Sequence, residues 1–374
     1  MDKTKIVICG GHFTPALALI EELKKIKNYQ VIYIGRKKAL EGDRAFSHEF
    51  LAIKKLNIPF YSLFCGRLQR SFTIYTIPSL LKFPFSLIHA FILLKKIKPI
   101  IVVSFGGYVA LPVCIIAWML GIPVITHEQT HVLGLSNRII CRFAKVTCLS
   151  WYETKNLPKN IKKIVTGIPI RKSILSAKED KIYDFGNKEL PLLYITGGSL
   201  GSRSINKVIA ETLSSLLSKY RIIHQCGSAD KQADFYRLLK LKRLLPKPYK
   251  ENYKVFKTIS ASKIGGIYNH AKLIIGRSGA NTVSEIAYYQ KPAIFIPLPW
   301  SGEDEQKYNA KELEKIGAAI IIDQKDLTPK KLIQKINLIM KRYSYYQINA
   351  NMAAERIFPN AVSKIVKIME EYIP

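Results

Sequence analysis

A chain of 374 residues, 48% of them hydrophobic, is long enough for about two domains with sizeable cores and excludes a disordered or low-complexity protein. The formal charge of +31 at pH 7 raises nucleic acid or an anionic membrane surface as partners, yet lysines outnumber arginines 44 to 14 and are spread along the chain, which indicates biased residue usage and argues against a nucleic-acid groove. Six scattered cysteines form no C-x-x-C pair and read as reduced core thiols of a cytosolic protein, and the N-terminus enters a strand pattern at once, which leaves no signal peptide.

Taken in order, short β-branched runs recur between stretches of helix length. The first half supplies Lys5–Gly10, Gln30–Gly35, Pro59–Leu63, Pro99–Gly106, Pro123–Glu128, Lys145–Ser150 and Lys163–Gly167. The second half supplies Pro191–Gly198, Arg221–Gly227, Tyr253–Thr258, Lys272–Gly279, Pro292–Pro299 and Ala318–Asp323. Most are near-continuous apolar runs, as expected of parallel strands covered on both faces. Strands alternating with helices predict an α/β protein. The pattern restarts: a glycine-rich turn follows the first strand of each half, "CGGH" at Cys9–His12 and "TGGSLGS" at Thr196–Ser202. A polar, turn-rich stretch separates the halves, and the hinge is expected near Gly167–Arg171. Two Rossmann-like, doubly wound domains then turn their strand C-termini, and any ligand, toward a shared cleft.

One segment stands apart: Ser71–Lys98, apolar and aromatic, bordered by Arg67, Arg70, Lys95, Lys96 and Lys98. Pro78, Lys82, Pro84 and His89 interrupt it, so it falls short of the roughly 20 unbroken apolar residues of a membrane span. Two readings stand side by side: short helices packed on the sheet, or a segment lying in a membrane interface.

Glycine-rich strand-to-helix turns let backbone N–H groups approach phosphates, and the helix dipole favours the anion. Turns of this kind occur at Gly10–His12, Phe105–Val109, Gly197–Ser202 and Gly276–Asn281, and point to a ligand carrying several phosphates. The Walker pattern and a full G-x-G-x-x-G are both absent, which argues against an NTPase and a typical dinucleotide enzyme. His127 and His131 are spaced four apart but follow a strand, and Glu303–Glu305 reads as a solvated turn, so no metal is expected. His12, at the tip of the first strand, reads either as a cap of its turn or as a general base.

The segments "GGHFTPALAL", "SFGGYVALP", "GIPVITHEQT", "GLSNR", "TGIPIR", "GGSLGSRSIN", "RSGANTVSEIA" and "EDEQKYNAKELEKIGAA" occur in this order. Together they resemble the bacterial peptidoglycan N-acetylglucosaminyltransferases of glycosyltransferase family 28, which convert lipid I into lipid II. The resemblance runs from about residue 5 to 325. It implies a glycosyltransferase-B fold, with residues 1–168 as an acceptor and membrane-facing domain and residues 169–348 as the UDP-sugar domain. The C-terminal stretch 349–374 would supply a helix that returns to the first domain. The implied reaction is inverting transfer of N-acetylglucosamine from UDP-N-acetylglucosamine to the 4-hydroxyl of the muramyl sugar on a polyprenyl-diphosphate carrier. No cofactor and no metal are implied. A related enzyme acting on another lipid, such as diacylglycerol, is the alternative, and a sugar-nucleotide epimerase shares the fold.

Residue by residue, the resemblance implies that Glu285 binds the ribose hydroxyls and that Ser278, Gly279, Ala280 and Thr282 form the helix mouth beneath the diphosphate. Gln306 and Asn309 would read the sugar, Ser199 and Arg171 would contact phosphate, and the loop Ile259–Ile264 would carry the uracil. On the acceptor side His12 matches the base, with Gly10, Gly11, Tyr108, His127, Glu128, Gln129 and Asn137 around it. The first glycine loop is shorter than the family's, and Thr130, Ile168 and Leu200 replace residues that can supply an amide. The implied setting is peripheral, on the cytoplasmic face of the cell membrane. It includes an anionic surface met through Ser71–Lys98, other cell-wall synthesis proteins as possible partners, and no nucleic acid.

Overall fold

All thirteen β-branched runs are strands of the computed structural model, which describes residues 3–38, 46–66, 82–176, 182, 185, 189–229, 232–356 and 360–373. The first seven are β1 (Thr4–Cys9), β2 (Tyr29–Gly35), β3 (Phe60–Ser62), β4 (Ile101–Ser104), β5 (Val124–Glu128), β6 (Val146–Leu149) and β7 (Lys163–Val165). They form one parallel sheet in the order β3-β2-β1-β4-β5-β6-β7. The remaining six are β8 (Leu192–Thr196), β9 (Arg221–Gln225), β10 (Tyr253–Phe256), β11 (Leu273–Gly276), β12 (Ala293–Phe295) and β13 (Ala319–Ile321). Their sheet, also parallel, has the order β10-β9-β8-β11-β12-β13. Both are the doubly wound α/β arrangement expected. In each sheet the winding reverses once, between β1 and β4 and between β8 and β11, where α/β sheets open a crevice at their strand C-termini.

The chain divides into two units, Met1–Arg171 with Phe358–Pro374, and Lys172–Ile357. The parting falls slightly after the expected 168/169 boundary. The return also comes later than residue 349, because helix Tyr343–Arg356 belongs to the second unit and packs against helix Ala280–Tyr288. Helix Ala361–Glu370 packs against helix Phe13–Leu23 of the first unit, burying Ile365, Ile368 and Met369.

The continuous apolar runs have a simple cause. Ile6 and Ile8 face one core of the first unit, while Val7 and Cys9 face the other, and all four are fully buried. Each fully buried aliphatic side chain contributes roughly 1.5–3 kcal/mol. The second unit repeats the pattern around Leu193, Ile195, Ile209, Ile275 and Ile294.

Of the apolar segment Ser71–Lys98, residues 71–81 lie outside the described residues, with Arg67, Arg70, Phe72, Ile74 and Pro78. The rest forms helix Phe83–Ile97, with Pro84 in its first turn and a left-handed Lys98 ending it. One face, Ala90, Leu93, Leu94 and Ile97, is buried and packs toward helix Ala110–Met119. Phe83 also packs on that core, whereas Phe85 and Ile88 are 62% and 59% exposed and Phe91 and Ile92 are exposed beside them. Among the described residues no helix is long and apolar enough to cross a membrane.

Candidate active site

In the first unit the glycine turns after β1 and β4 run backbone against backbone at the switch point. The Gly11 N–H donates to the Gly106 carbonyl at 2.8 Å. A Cβ on Gly10, whose φ is +143°, would lie 2.8 Å from the Phe105 backbone, so no larger residue fits there. This approach delivers His12 to the start of helix Phe13–Leu23, where its half-buried imidazole makes no capping hydrogen bond. Tyr108 follows the second turn, half-buried, with the Arg36 guanidinium 5.5 Å from its ring centroid.

The end of β5 carries a buried polar cluster. His127 Nε2 lies 2.9 Å from the Gly167 carbonyl and Nδ1 lies 2.9 Å from Gln129 Nε2. A carbonyl can only accept, so Nε2 bears the proton and Nδ1 accepts from the amide, which is the neutral imidazole. Burial holds the His127 pKa down at about 4, against the Gly167 bond and the Glu128 carboxylate, which favour charge. Glu128 Oε1 accepts from the Gln129 and Thr130 amides at 3.0 and 3.1 Å and from the Thr130 hydroxyl at 2.8 Å. Its Oε2 accepts from the Gly134 amide at 2.9 Å and from Asn137 Nδ2 at 3.0 Å. Asn137 Oδ1 accepts from the Thr126 hydroxyl, and a Cβ on Gly106 would stand 2.9 Å from Asn137 Nδ2. The structure therefore brings His127, Glu128, Gln129 and Asn137 together, but as a buried frame under the Gly106 turn, with their polar atoms largely bonded to one another. Gln129 Oε1 is buried without a partner among the described residues.

In the second unit a Cβ on Gly276 would stand 2.4 Å from the Thr196 carbonyl, so β11 leaves the sheet pressed against the exit of β8. Arg277 follows and clamps three other segments. Nη1 donates to the carbonyls of Ile296 and Pro297 at 2.8 and 3.0 Å, and Nη2 to Ser202 Oγ at 2.7 Å and Gln324 Oε1 at 2.6 Å. Burial lowers its pKa to about 10, still charged at neutral pH. The Ser278 hydroxyl donates to the Gln306 carbonyl at 2.7 Å, and Asn309 Nδ2 donates to the Ser278 carbonyl at 3.2 Å. Gln306 Oε1 accepts from the Leu298 amide at 3.1 Å. Gly279 caps helix Ala280–Tyr288, and nothing lies within 4 Å of where its Cβ would be. The first backbone N–H groups of a helix have no partner within it, and a helix mouth of this kind is the usual seat of an anion.

Ala280 is buried, Thr282 is half-buried, and Glu285 sits one turn in, 7% exposed, accepting from the Tyr268 hydroxyl at 3.1 Å. Gln225 bridges two neighbouring loops: Nε2 donates to the Gly198 carbonyl at 3.2 Å and Oε1 accepts from the Ile259 amide at 3.0 Å. Ser199 is exposed on the glycine turn and Ile264 is half-buried in helix Ala261–His270. Arg171 falls in the first unit, where its charge reaches Glu21 on helix Phe13–Leu23. Arg277, Tyr268 and Gln225 are the site residues that sequence reasoning missed. Arg277 stood inside the motif, but its partners come from distant segments. Tyr268 and Gln225 carry no pattern of their own.

Residues 9–149 match the Glycosyltransferase family 28 N-terminal domain and residues 192–368 the Glycosyltransferase family 28 C-terminal domain. The UDP-N-acetylglucosamine–N-acetylmuramyl-(pentapeptide) pyrophosphoryl-undecaprenol N-acetylglucosamine transferase of Clostridium novyi is 32% identical over 100% of this chain and 99% of its own length. That of Clostridium kluyveri is 33% identical over 98% and 99%. The crystal structure of Acinetobacter baumannii MurG covers 98% of this chain and 99% of its own, at a TM-score of 0.76 and 30% identity. A UDP-GlcNAc 2-epimerase from Neisseria meningitidis bound to UDP-GlcNAc shares the fold, with a TM-score of 0.65 at 15% identity. With both domain descriptions matched in order, and relatives this similar along its whole length, the chain belongs to glycosyltransferase family 28.

Proposed function

We propose that this enzyme transfers N-acetylglucosamine, with inversion, from UDP-N-acetylglucosamine to the 4-hydroxyl of the muramyl sugar of undecaprenyl-diphosphate-linked lipid I, giving lipid II for peptidoglycan. The observation that carries the reading is the open helix mouth at Gly279–Thr282 with a buried carboxylate, Glu285, one turn behind it. A diphosphate there is met by unpaired N–H groups and the positive end of the helix, while a carboxylate accepts from two vicinal ribose hydroxyls. Ser278, Ala280, Thr282, Gln306 and Asn309 frame the same mouth, with Ser199 and the loop toward Ile264 beside it. The names of the relatives favour lipid I over a diacylglycerol acceptor.

Chemically, the helix mouth stabilises the charge that builds on departing UDP without needing a proton. His12 takes the proton of the attacking hydroxyl, and Gly10 and Gly11 offer backbone amides to the acceptor diphosphate. The buried frame of His127, Glu128, Gln129 and Asn137 holds the Gly106 turn in register with Gly11.

The acceptor's polyprenyl tail stays in the bilayer, so the enzyme works peripherally, at the cytoplasmic face. Phe85, Ile88, Phe91 and Ile92 on helix Phe83–Ile97 supply the apolar contact, and Lys95 and Lys96 in its last turn the attraction to anionic lipid. Other cell-wall synthesis proteins would meet it there. The test is an acceptor screen with UDP-N-acetylglucosamine. Turnover of lipid I with none on diacylglycerol supports the reading, and the reverse overturns it.

A further inference from the structure

Behind Glu285 lies a packed group of tyrosines that the reading of the donor site does not use. Tyr268 is 3% exposed, and its hydroxyl donates to Glu285 Oε2 at 3.1 Å. Its ring is held from two sides, by Tyr194 edge-on and by Tyr289 tilted, each with centroids 5.7 Å away. Tyr289 is in turn anchored, its hydroxyl donating to the Ile174 carbonyl at 2.5 Å. The helix bearing Tyr268 is packed close against that same segment, since a Cβ on Gly265 would stand 2.1 Å from the Ile174 carbonyl. Burial and the facing Glu285 carboxylate push the Tyr268 pKa well above its usual value, so the hydroxyl remains a donor throughout the working pH range.

We propose that Tyr268 is a positioning residue: held rigidly by Tyr194 and Tyr289, its hydroxyl fixes the Glu285 carboxylate in the orientation that receives the ribose hydroxyls of the donor. The proposal rests on Glu285 being the ribose ligand. A glutamate side chain has three rotatable bonds, and freezing them on ligand binding costs entropy. A carboxylate already bound to a rigid phenol has lost that freedom beforehand, so the nucleotide does not bear the loss.

The test compares UDP with 2′,3′-dideoxyuridine diphosphate by calorimetry on wild type, Tyr268→Phe and Tyr289→Phe. Wild type should prefer UDP. Tyr268→Phe should lose roughly three- to tenfold in UDP affinity while binding the dideoxy ligand as wild type does. Its KM for UDP-N-acetylglucosamine should rise with kcat within about twofold. Tyr289→Phe, which loses a hydroxyl of the same cluster that does not touch Glu285, should keep the wild-type preference. Equal weakening of both ligands by Tyr268→Phe would mark a merely structural tyrosine, and an undiminished preference would also overturn the proposal. A wild type that does not distinguish the two ligands would instead remove Glu285 from the ribose, and the role of Tyr268 with it. If Tyr268→Phe fails to fold, Glu285→Asp draws the carboxylate away from the phenol without touching the aromatic cluster. It should show the same ribose-specific loss, and wild-type UDP affinity in that variant would refute the proposal.

Discussion

His127 Nε2 and the Gly167 carbonyl lie 2.9 Å apart, and this contact ties the end of β5 to the segment that leads out of the first unit. It forms only with a proton on Nε2. The other nitrogen must then stay bare to accept from Gln129. The second unit has a counterpart in His224, buried between the Tyr253 hydroxyl and Asn206 Oδ1 at 3.0 Å each, its pKa lowered by burial to about 3.

Stability should therefore fall in mild acid. Both histidines titrate near 6.5 when unfolded but only at about 4 and about 3 when folded, so between these values the unfolded chain binds more protons. Their contribution is fully present above pH 6.5 and is lost as pH drops toward 4, by roughly 1.4 kcal/mol per pH unit per histidine. Urea midpoints measured from pH 7 to pH 4.5 should decline in wild type and decline less steeply in His127→Gln. An identical slope in the two proteins would show that His127 titrates at its ordinary pKa.

Glu285→Ala should weaken UDP at least tenfold. A hydrogen bond to a charged group contributes roughly 1.5–3 kcal/mol, and this carboxylate would lose its bonds to the ribose. Unchanged affinity by calorimetry, in a variant folded by circular dichroism, would exclude Glu285 from the nucleotide.

Arg277→Lys should destabilise the second unit by about 2–4 kcal/mol, because an ammonium cannot reach the carbonyls of Ile296 and Pro297, Ser202 Oγ and Gln324 Oε1 together. The loops that meet there also hold Ser278, so UDP affinity should drop with stability. A variant melting like wild type would mean that the clamp is dispensable.

For His12 the readout is kinetic. His12→Ala should lower kcat by on the order of 10²–10⁴ while leaving UDP affinity unchanged, since a base serving the acceptor belongs to the other half of the reaction. Near-normal turnover would reduce the imidazole to a residue of the β1 turn.

The strands were legible because apolar side chains alternate between two covered faces, as Val7 and Ile8 do, leaving few polar interruptions to misread. The helix mouth at Gly279 was legible because glycine, serine and a following carboxylate form a local string. Glu128 shows what a string leaves out. A charged residue in "HEQT" reads as a ligand, yet its two oxygens are bonded to the loop from Gln129 to Asn137, a destination set by how that loop folds back. Arg277 and Tyr268 were hidden for a related reason: their partners lie far away in sequence and meet them only once the sheet is assembled.

Membrane docking is the remaining expectation, and the structure sharpens the choice of residues. Phe83 packs on the core, so replacing it would damage the fold, whereas Phe85, Ile88 and Ile92 form an exposed stripe at helical spacing. Trp118 and Met119 are exposed on the helix packed beside it. Each apolar side chain taken up by lipid gains up to roughly 1.5–3 kcal/mol, and each of Lys95 and Lys96 adds about 1 kcal/mol near an anionic leaflet. Co-flotation with anionic vesicles should exceed that with neutral ones. It should weaken without vanishing at 1 M salt, where the Debye length is about 3 Å and only the apolar contribution persists. A Phe85→Ser/Ile88→Ser double variant should lose most flotation while keeping its thermal transition, since neither side chain supports the core. Equal flotation of variant and wild type would show that the acceptor is met through another surface. Flotation abolished by salt alone would show that the lysines, and not the stripe, hold the enzyme to the bilayer.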